Sequence, residues 1–131
     1  MEIQKHILLI DDDLDDQEFF VYALTELNTT IAFSIANNGL EAVEKIKIPP
    51  KPSLIFIDLN MPVMNGFEFL EAIKKEPDYK DIPTIILTTS NSESDKSKAK
   101  KLGASRFITK PSNLKLLKEH LQEILSSELP S

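Results

Sequence analysis

Four short apolar runs in this chain are followed at once by residues able to do chemistry. Asp11, Asp12 and Asp13 follow Ile7–Ile10, Asp58 follows Leu54–Ile57, Thr88 and Thr89 follow Ile85–Leu87, and Lys110 follows Phe107–Thr109. Two carboxylates about 5 Å apart repel by roughly 3 kcal/mol at an effective dielectric near 20, so Asp11, Asp12 and Asp58 brought together would be strained without a cation. With no Cys in the chain and no His near these acids, the donors are hard oxygens. They suit a Mg²⁺ ion that keeps some of its waters and also bonds phosphate, and they do not suit zinc. The other groups fit phosphate as well: Lys110 is a point positive charge, Thr88 a hydroxyl donor, and Asp58 a carboxylate able to act as a nucleophile and form an acyl phosphate.

Such groups can meet only if the runs before them are strands that end at one edge. The apolar pattern supplies five strand candidates, at Ile7–Ile10, Ile31–Ile35, Leu54–Ile57, Thr84–Leu87 and Arg106–Ile108. Helical spacing separates them. Phe20, Ala23, Leu24 and Leu27 mark a first helix, Ala42, Val43 and Ile46 a second, and Phe67, Leu70 and Ile73 a third. Leu114, Leu117, Leu121, Ile124 and Leu125 line a closing one. Between Asn91 and Lys101 only Ala99, followed by Leu102, offers apolar cover, so that helix should be weakly held, with Gly103 at its C-terminal cap. Strands alternating with helices imply right-handed crossovers and a parallel sheet covered on both faces. That architecture is a three-layer α/β/α sandwich, and ligands in such sheets bind beyond the carboxyl ends of the strands.

Length and composition narrow the function. The 131 residues fit one compact domain with a core from about residue 5 to residue 126 and a short polar tail from Ser126. A formal charge of -6 argues against nucleic acid as a partner, because binding its backbone needs clustered Lys and Arg. The apolar runs are far shorter than the roughly 20 residues that cross a bilayer, and no signal-peptide pattern opens the chain, so a cytoplasmic protein without a membrane partner is expected. Asp15 and Asp16 read as an acidic first helical turn that complements the helix dipole. His6 reads as a strand-edge residue and His120 as a solvated helical one.

Taken in order, ILLIDDD at 7–13, IDLNMPVMNG at 57–66, LTTS at 87–90, LGAS at 102–105 and FITKP at 107–111 resemble the receiver domain of bacterial response regulators. The likeness covers about Ile7 to Leu125 and is nearest to small stand-alone, CheY-like receivers, including those paired with bacteriophytochromes. It implies a flavodoxin-like five-stranded sheet in the order 2-1-3-4-5. It also implies that Asp58 accepts a phosphoryl group and that Asp11, Asp12, Asp58 and the backbone carbonyl of Asn60 hold Mg²⁺. Thr88 and Lys110 would bind the phosphate, Thr88 and Phe107 would form the switch, and Pro111 would follow a cis bond.

The resemblance further implies a two-component phosphorelay. A sensor histidine kinase or histidine phosphotransfer protein would be the donor, and a separate protein, or a second copy of this chain, would dock on the face made by the fourth helix, fifth strand and last helix. The only chemistry expected is the chain's own phosphorylation and dephosphorylation, without turnover of a separate substrate. An aspartyl-phosphate hydrolase of the haloacid dehalogenase type would need a second Asp two residues after Asp58, where this chain has Asn60.

Overall fold

The computed structural model describes residues 5–27 and 30–129. Five strands and five helices alternate: β1 (His6–Ile10), α1 (Leu14–Leu27), β2 (Ala32–Ala36), α2 (Gly39–Lys45), β3 (Leu54–Ile57), α3 (Gly66–Lys74), β4 (Thr84–Thr88), α4 (Glu93–Lys101), β5 (Arg106–Thr109) and α5 (Leu114–Glu128). All strand pairs are parallel, in the order β2-β1-β3-β4-β5. The sheet order and fold class are those the resemblance implies.

Side chains alternate across a strand, and the central strands use both faces. Leu8, Ile10, Ile55, Ile57 and Ile86 pack with Ala42, Phe69, Leu70, Ile73 and Ala99 on the α2, α3 and α4 side. Ile7, Leu9, Leu54, Phe56, Ile85 and Leu87 pack with Phe20, Ala23, Leu24, Leu117, Leu121 and Ile124 on the α1 and α5 side. Every residue of β3 is buried, and full burial of a side chain such as Phe56 stabilises the fold by about 1.5–3 kcal/mol. Its ring meets Phe20 edge to face, with centroids 4.9 Å apart. This two-sided core fixes the strand ends, and therefore the groups that follow them.

As the sequence suggests, α4 buries only Ala99. It ends in a Schellman arrangement: Gly103 at φ +98° donates its N–H to the Lys100 carbonyl, and Ala104 donates to Ala99. Apart from this cap, Lys98 places its ammonium 4.5 Å from the centre of the Phe67 ring on α3.

Two expectations need correction. The last helix continues through Glu128, past the polar tail expected from Ser126, because Glu128 pairs with Arg106 and Leu129 packs on the core. The Lys110–Pro111 bond is not cis, trans being the ordinary preference of an X–Pro bond; the cis bond found among the described residues joins Pro49 and Pro50. His6 opens β1, at the edge of the strand as expected. It is buried, with Nε2 2.8 Å from the Ser34 hydroxyl.

Candidate functional site at the carboxyl edge of the sheet

The register that pairs Ile10 with Ala36 and with Ile57 brings Asp11 and Asp58 to the same end of neighbouring strands. Backbone bonds extend the alignment past the strands: the Asp58 N–H donates to the Ile10 carbonyl at 3.0 Å, and the Asp11 N–H to Ala36 at 3.0 Å. Asp11 is 3 % exposed and Asp58 7 %, while Asp12 faces solvent. Asp11, Asp12 and Asp58 each offer an oxygen within 4.8 Å of the others. This carboxylate set, half buried and free of softer donors, fits a divalent cation that takes oxygen ligands. Burial pushes the Asp11 carboxyl above the usual carboxylate range, against the opposing pull of Lys110 and of the Asp13 N–H.

The three consecutive acids divide their work. Asp13 caps α1, its Oδ1 accepting from the Asp16 N–H at 3.0 Å, as an N-cap carboxylate does. Asp11 and Asp12 are therefore the pair left to face Asp58. Asn60 is exposed, and its N–H points to Asp58 Oδ1 at 3.4 Å. The loop beyond folds tightly back, with the Gly66 N–H donating to the Leu59 carbonyl at 3.1 Å. A Cβ on Gly66 would stand 2.5 Å from the Asp58 carbonyl oxygen, so glycine is what lets α3 start this close to the site. Asn65 and Glu68 form a reciprocal capping box at that start.

On the opposite side, β4 and β5 bring up Thr88, fully buried, and Lys110, whose N–H donates to the Thr88 carbonyl at 2.6 Å. The Lys110 ammonium reaches three carboxylates: Asp16 Oδ2 at 2.6 Å, Asp11 Oδ2 at 2.8 Å and Asp58 Oδ2 at 3.2 Å. Burial disfavours its charge, but the bonds to Asp11 and Asp16 and the nearby Asp58 outweigh that and hold it above the usual Lys range. Phe107 is half-buried and packs against the α3 and α4 side of the core. Thr88, Ser90 and Thr109 are joined by hydrogen bonds: the Ser90 N–H points to Thr88 Oγ1 at 3.4 Å, and the Thr109 hydroxyl donates to the Ser90 carbonyl at 3.0 Å.

Two residues of this site were not picked out from the sequence. Gln17 is buried and its amide donates to the Asp11 carbonyl at 2.6 Å and to Asn37 at 2.9 Å. Asp16, read as part of an acidic first turn, does stand there but also bonds Lys110. The signal was available in the spacing, because Asp16 lies four residues before Phe20 and so shares the stripe that α1 turns inward.

A family model for the response regulator receiver domain matches residues 7–122. The chain belongs to that family. Among its relatives, response regulator Rcp1 of Synechocystis is 35 % identical over 128 residues, covering 93 % of this chain and 87 % of Rcp1. The crystal structure of the phosphorylated cyanobacterial phytochrome response regulator RcpA superposes with a TM-score of 0.89 at 30 % identity, over 98 % of this chain and 96 % of that one. The Mn²⁺-bound form of Rcp1 gives a TM-score of 0.84 over 97 % and 96 % of the two chains. Bacteriophytochrome response regulator AtBRR gives 0.78 at 26 % identity, over 93 % of each chain. In this receiver fold Asp11, Asp58 and Lys110 meet at the carboxyl edge of the sheet. Among the described residues, no helix is long and apolar enough to cross a membrane.

Proposed function

We infer that this receiver accepts a phosphoryl group on Asp58 from a histidine kinase or histidine phosphotransfer protein, with Mg²⁺ held by Asp11, Asp12, Asp58 and the Asn60 carbonyl. The observation that carries this reading is the meeting of three carboxylate oxygens within 4.8 Å with a Lys110 ammonium 3.2 Å from Asp58. Bound there, the cation would neutralise charge that builds on the transferring group. The P–O bond to Asp58 forms as the P–N bond of the donor's phosphohistidine breaks, and the bonding pair leaves with the imidazole nitrogen. Lys110 orients the phosphoryl oxygens, and the Thr88 hydroxyl donates to one of them.

Phosphorylation adds charge and acceptor oxygens beside Thr88. Movement of Thr88 toward them frees space for the Phe107 ring, and the loop tied through Ser90 transmits the change to α4. The output is an altered protein-binding face made by α4, β5 and α5, a two-state element biased by a local charge. A signalling switch of this kind works on itself and on protein partners. Such partners include a downstream protein or a second copy of the chain, in the cytoplasm. The presence of a Mn²⁺-bound form among its relatives supports a divalent cation at this position.

Incubation with acetyl phosphate and Mg²⁺, followed by intact mass measurement, tests the reading. One phosphoryl adduct that does not form when EDTA is present from the start is the expected result. An adduct that forms equally well in EDTA would remove the cation from the account.

A further inference from the structure

We propose that Asp16 is a positioning residue that competes with the phosphoryl group on Asp58 for the Lys110 ammonium, and so sets how tightly this receiver holds phosphate. The inference rests on the reading of Asp58 as the phosphate acceptor. It adds a residue that lies outside the motifs carrying that reading.

An ammonium has three N–H donors, and Lys110 has three carboxylate partners, so its donors are fully used. Asp16 makes the shortest of the three contacts, 2.6 Å against 2.8 Å to Asp11 and 3.2 Å to Asp58. A phosphoryl group on Asp58 can bond Lys110 only if one of these contacts is surrendered. Asp11 and Asp58 are the two acids that a cation also claims, which leaves Asp16 as the competitor that stays when the site is loaded. Its position supports an exchange. The Asp16 side chain is 40 % exposed and that of Lys110 12 %, so the carboxylate can be rehydrated when Lys110 leaves. A cavity of about 30 Å³, lined in part by Asp11, Asp16, Lys110 and Pro111, gives the lysine stem room to turn between its partners.

The acid belongs to the first turn of α1 together with Asp15, and Asp15 provides a matched control. Asp15 is exposed, carries the same charge on the same turn, and has no bond to Lys110 among those the structure shows. Asp16→Asn and Asp15→Asn remove equal charge and weaken the helix dipole interaction alike. Only the first takes the charge out of a contact with Lys110, so that the phosphoryl group competes with a weaker acceptor.

The test measures beryllofluoride affinity at saturating Mg²⁺ by NMR titration of wild type, Asp16→Asn and Asp15→Asn, with circular dichroism confirming that each is folded. The Lys110 Nζ resonance of each form is followed in the same samples. Asp16→Asn should bind the phosphoryl analogue roughly fivefold more tightly, the worth of one partly exposed ion pair, and its Lys110 resonance should be displaced before the analogue is added. Asp15→Asn should match wild type in both. Equal affinities for all three, or an equal gain in both variants, overturns the competition. Failure of wild type itself to bind beryllofluoride or accept phosphate overturns the Asp58 reading and this inference with it, so the two failures are distinguishable.

Discussion

The Lys110 ammonium lies 3.2 Å from Asp58 Oδ2, joining the end of β5 to the end of β3 across 52 residues of sequence. The same ammonium contacts Asp11 at 2.8 Å, and without a metal it is the cation that stands between these two buried acids. A lysine alone compensates Asp11 incompletely, since burial still pushes its carboxyl upward.

Stability and metal binding should therefore trade places at Asp11. In EDTA, Asp11→Asn should unfold at higher urea than wild type, by about 1 kcal/mol, because repulsion between two neighbouring carboxylates is removed while Lys110 keeps Asp58 and Asp16 as partners. In Mg²⁺ at a hundred times its Kd the wild type should gain about 2.7 kcal/mol and the variant much less. Urea melts with and without Mg²⁺ check both signs, and a variant less stable than wild type in EDTA would show that Lys110 already satisfies the acids.

Gly66 offers a test of how closely the loop after β3 is built. Alanine is ordinarily the better helix former by about 1 kcal/mol, but here its Cβ would sit 2.5 Å from the Asp58 carbonyl oxygen and 2.9 Å from Leu59 Cα. Backbone cannot swing aside as a side chain can. Gly66→Ala should cost about 1–3 kcal/mol and weaken Mg²⁺ binding by displacing Asp58, measured by urea melts and calorimetry. A stabilised variant with unchanged metal affinity would refute the close approach.

The opposite substitution should help three residues earlier. Val63 has φ +71°, a left-handed conformation that suits a β-branched residue poorly, and it is 75 % exposed, so little burial offsets the strain. Val63→Asn should raise stability by about 1 kcal/mol and leave acetyl phosphate labelling unchanged. A loss of stability would mean that the valine side chain has packing value that its exposure does not suggest.

At the far end of the sheet, His6 should make the fold sensitive to acid. Burial lowers its pKa, and its Nδ1 is buried without a hydrogen-bond partner. The unfolded chain, with an ordinary His near 6.5, binds the proton more readily. His6 therefore contributes stability that is present above about pH 6.5 and is lost as pH falls through the lower folded value. Urea melts of wild type and His6→Gln over this window should diverge toward low pH, the variant losing less. Parallel losses would place the sensitivity elsewhere.

The fold was legible because its central strands have unambiguous apolar runs: Leu54–Ile57 is a strand with those bounds in both sequence and structure. The site was legible because each run is followed by its polar residue, so strand ends carried Asp11, Asp58, Thr88 and Lys110 to one edge. The tail was misread because Ser126 to Glu128 are polar. Their helix is held by an ion pair to Arg106 and by Leu129, long-range ties that composition does not encode. Asp16 was misjudged for a related reason, since an acid in a first helical turn has a sufficient local explanation and its partner is 94 residues away.

The central claim is that the phosphate resides on Asp58, and chemical trapping tests it most directly. After reaction with acetyl phosphate and Mg²⁺, borohydride reduces an aspartyl phosphate to homoserine, which peptide mass spectrometry can locate. Homoserine at position 58, absent when phosphodonor is omitted, is the predicted result. Homoserine at position 11 or 12 instead, or none in a wild-type sample proved folded and loaded with Mg²⁺, would contradict the account.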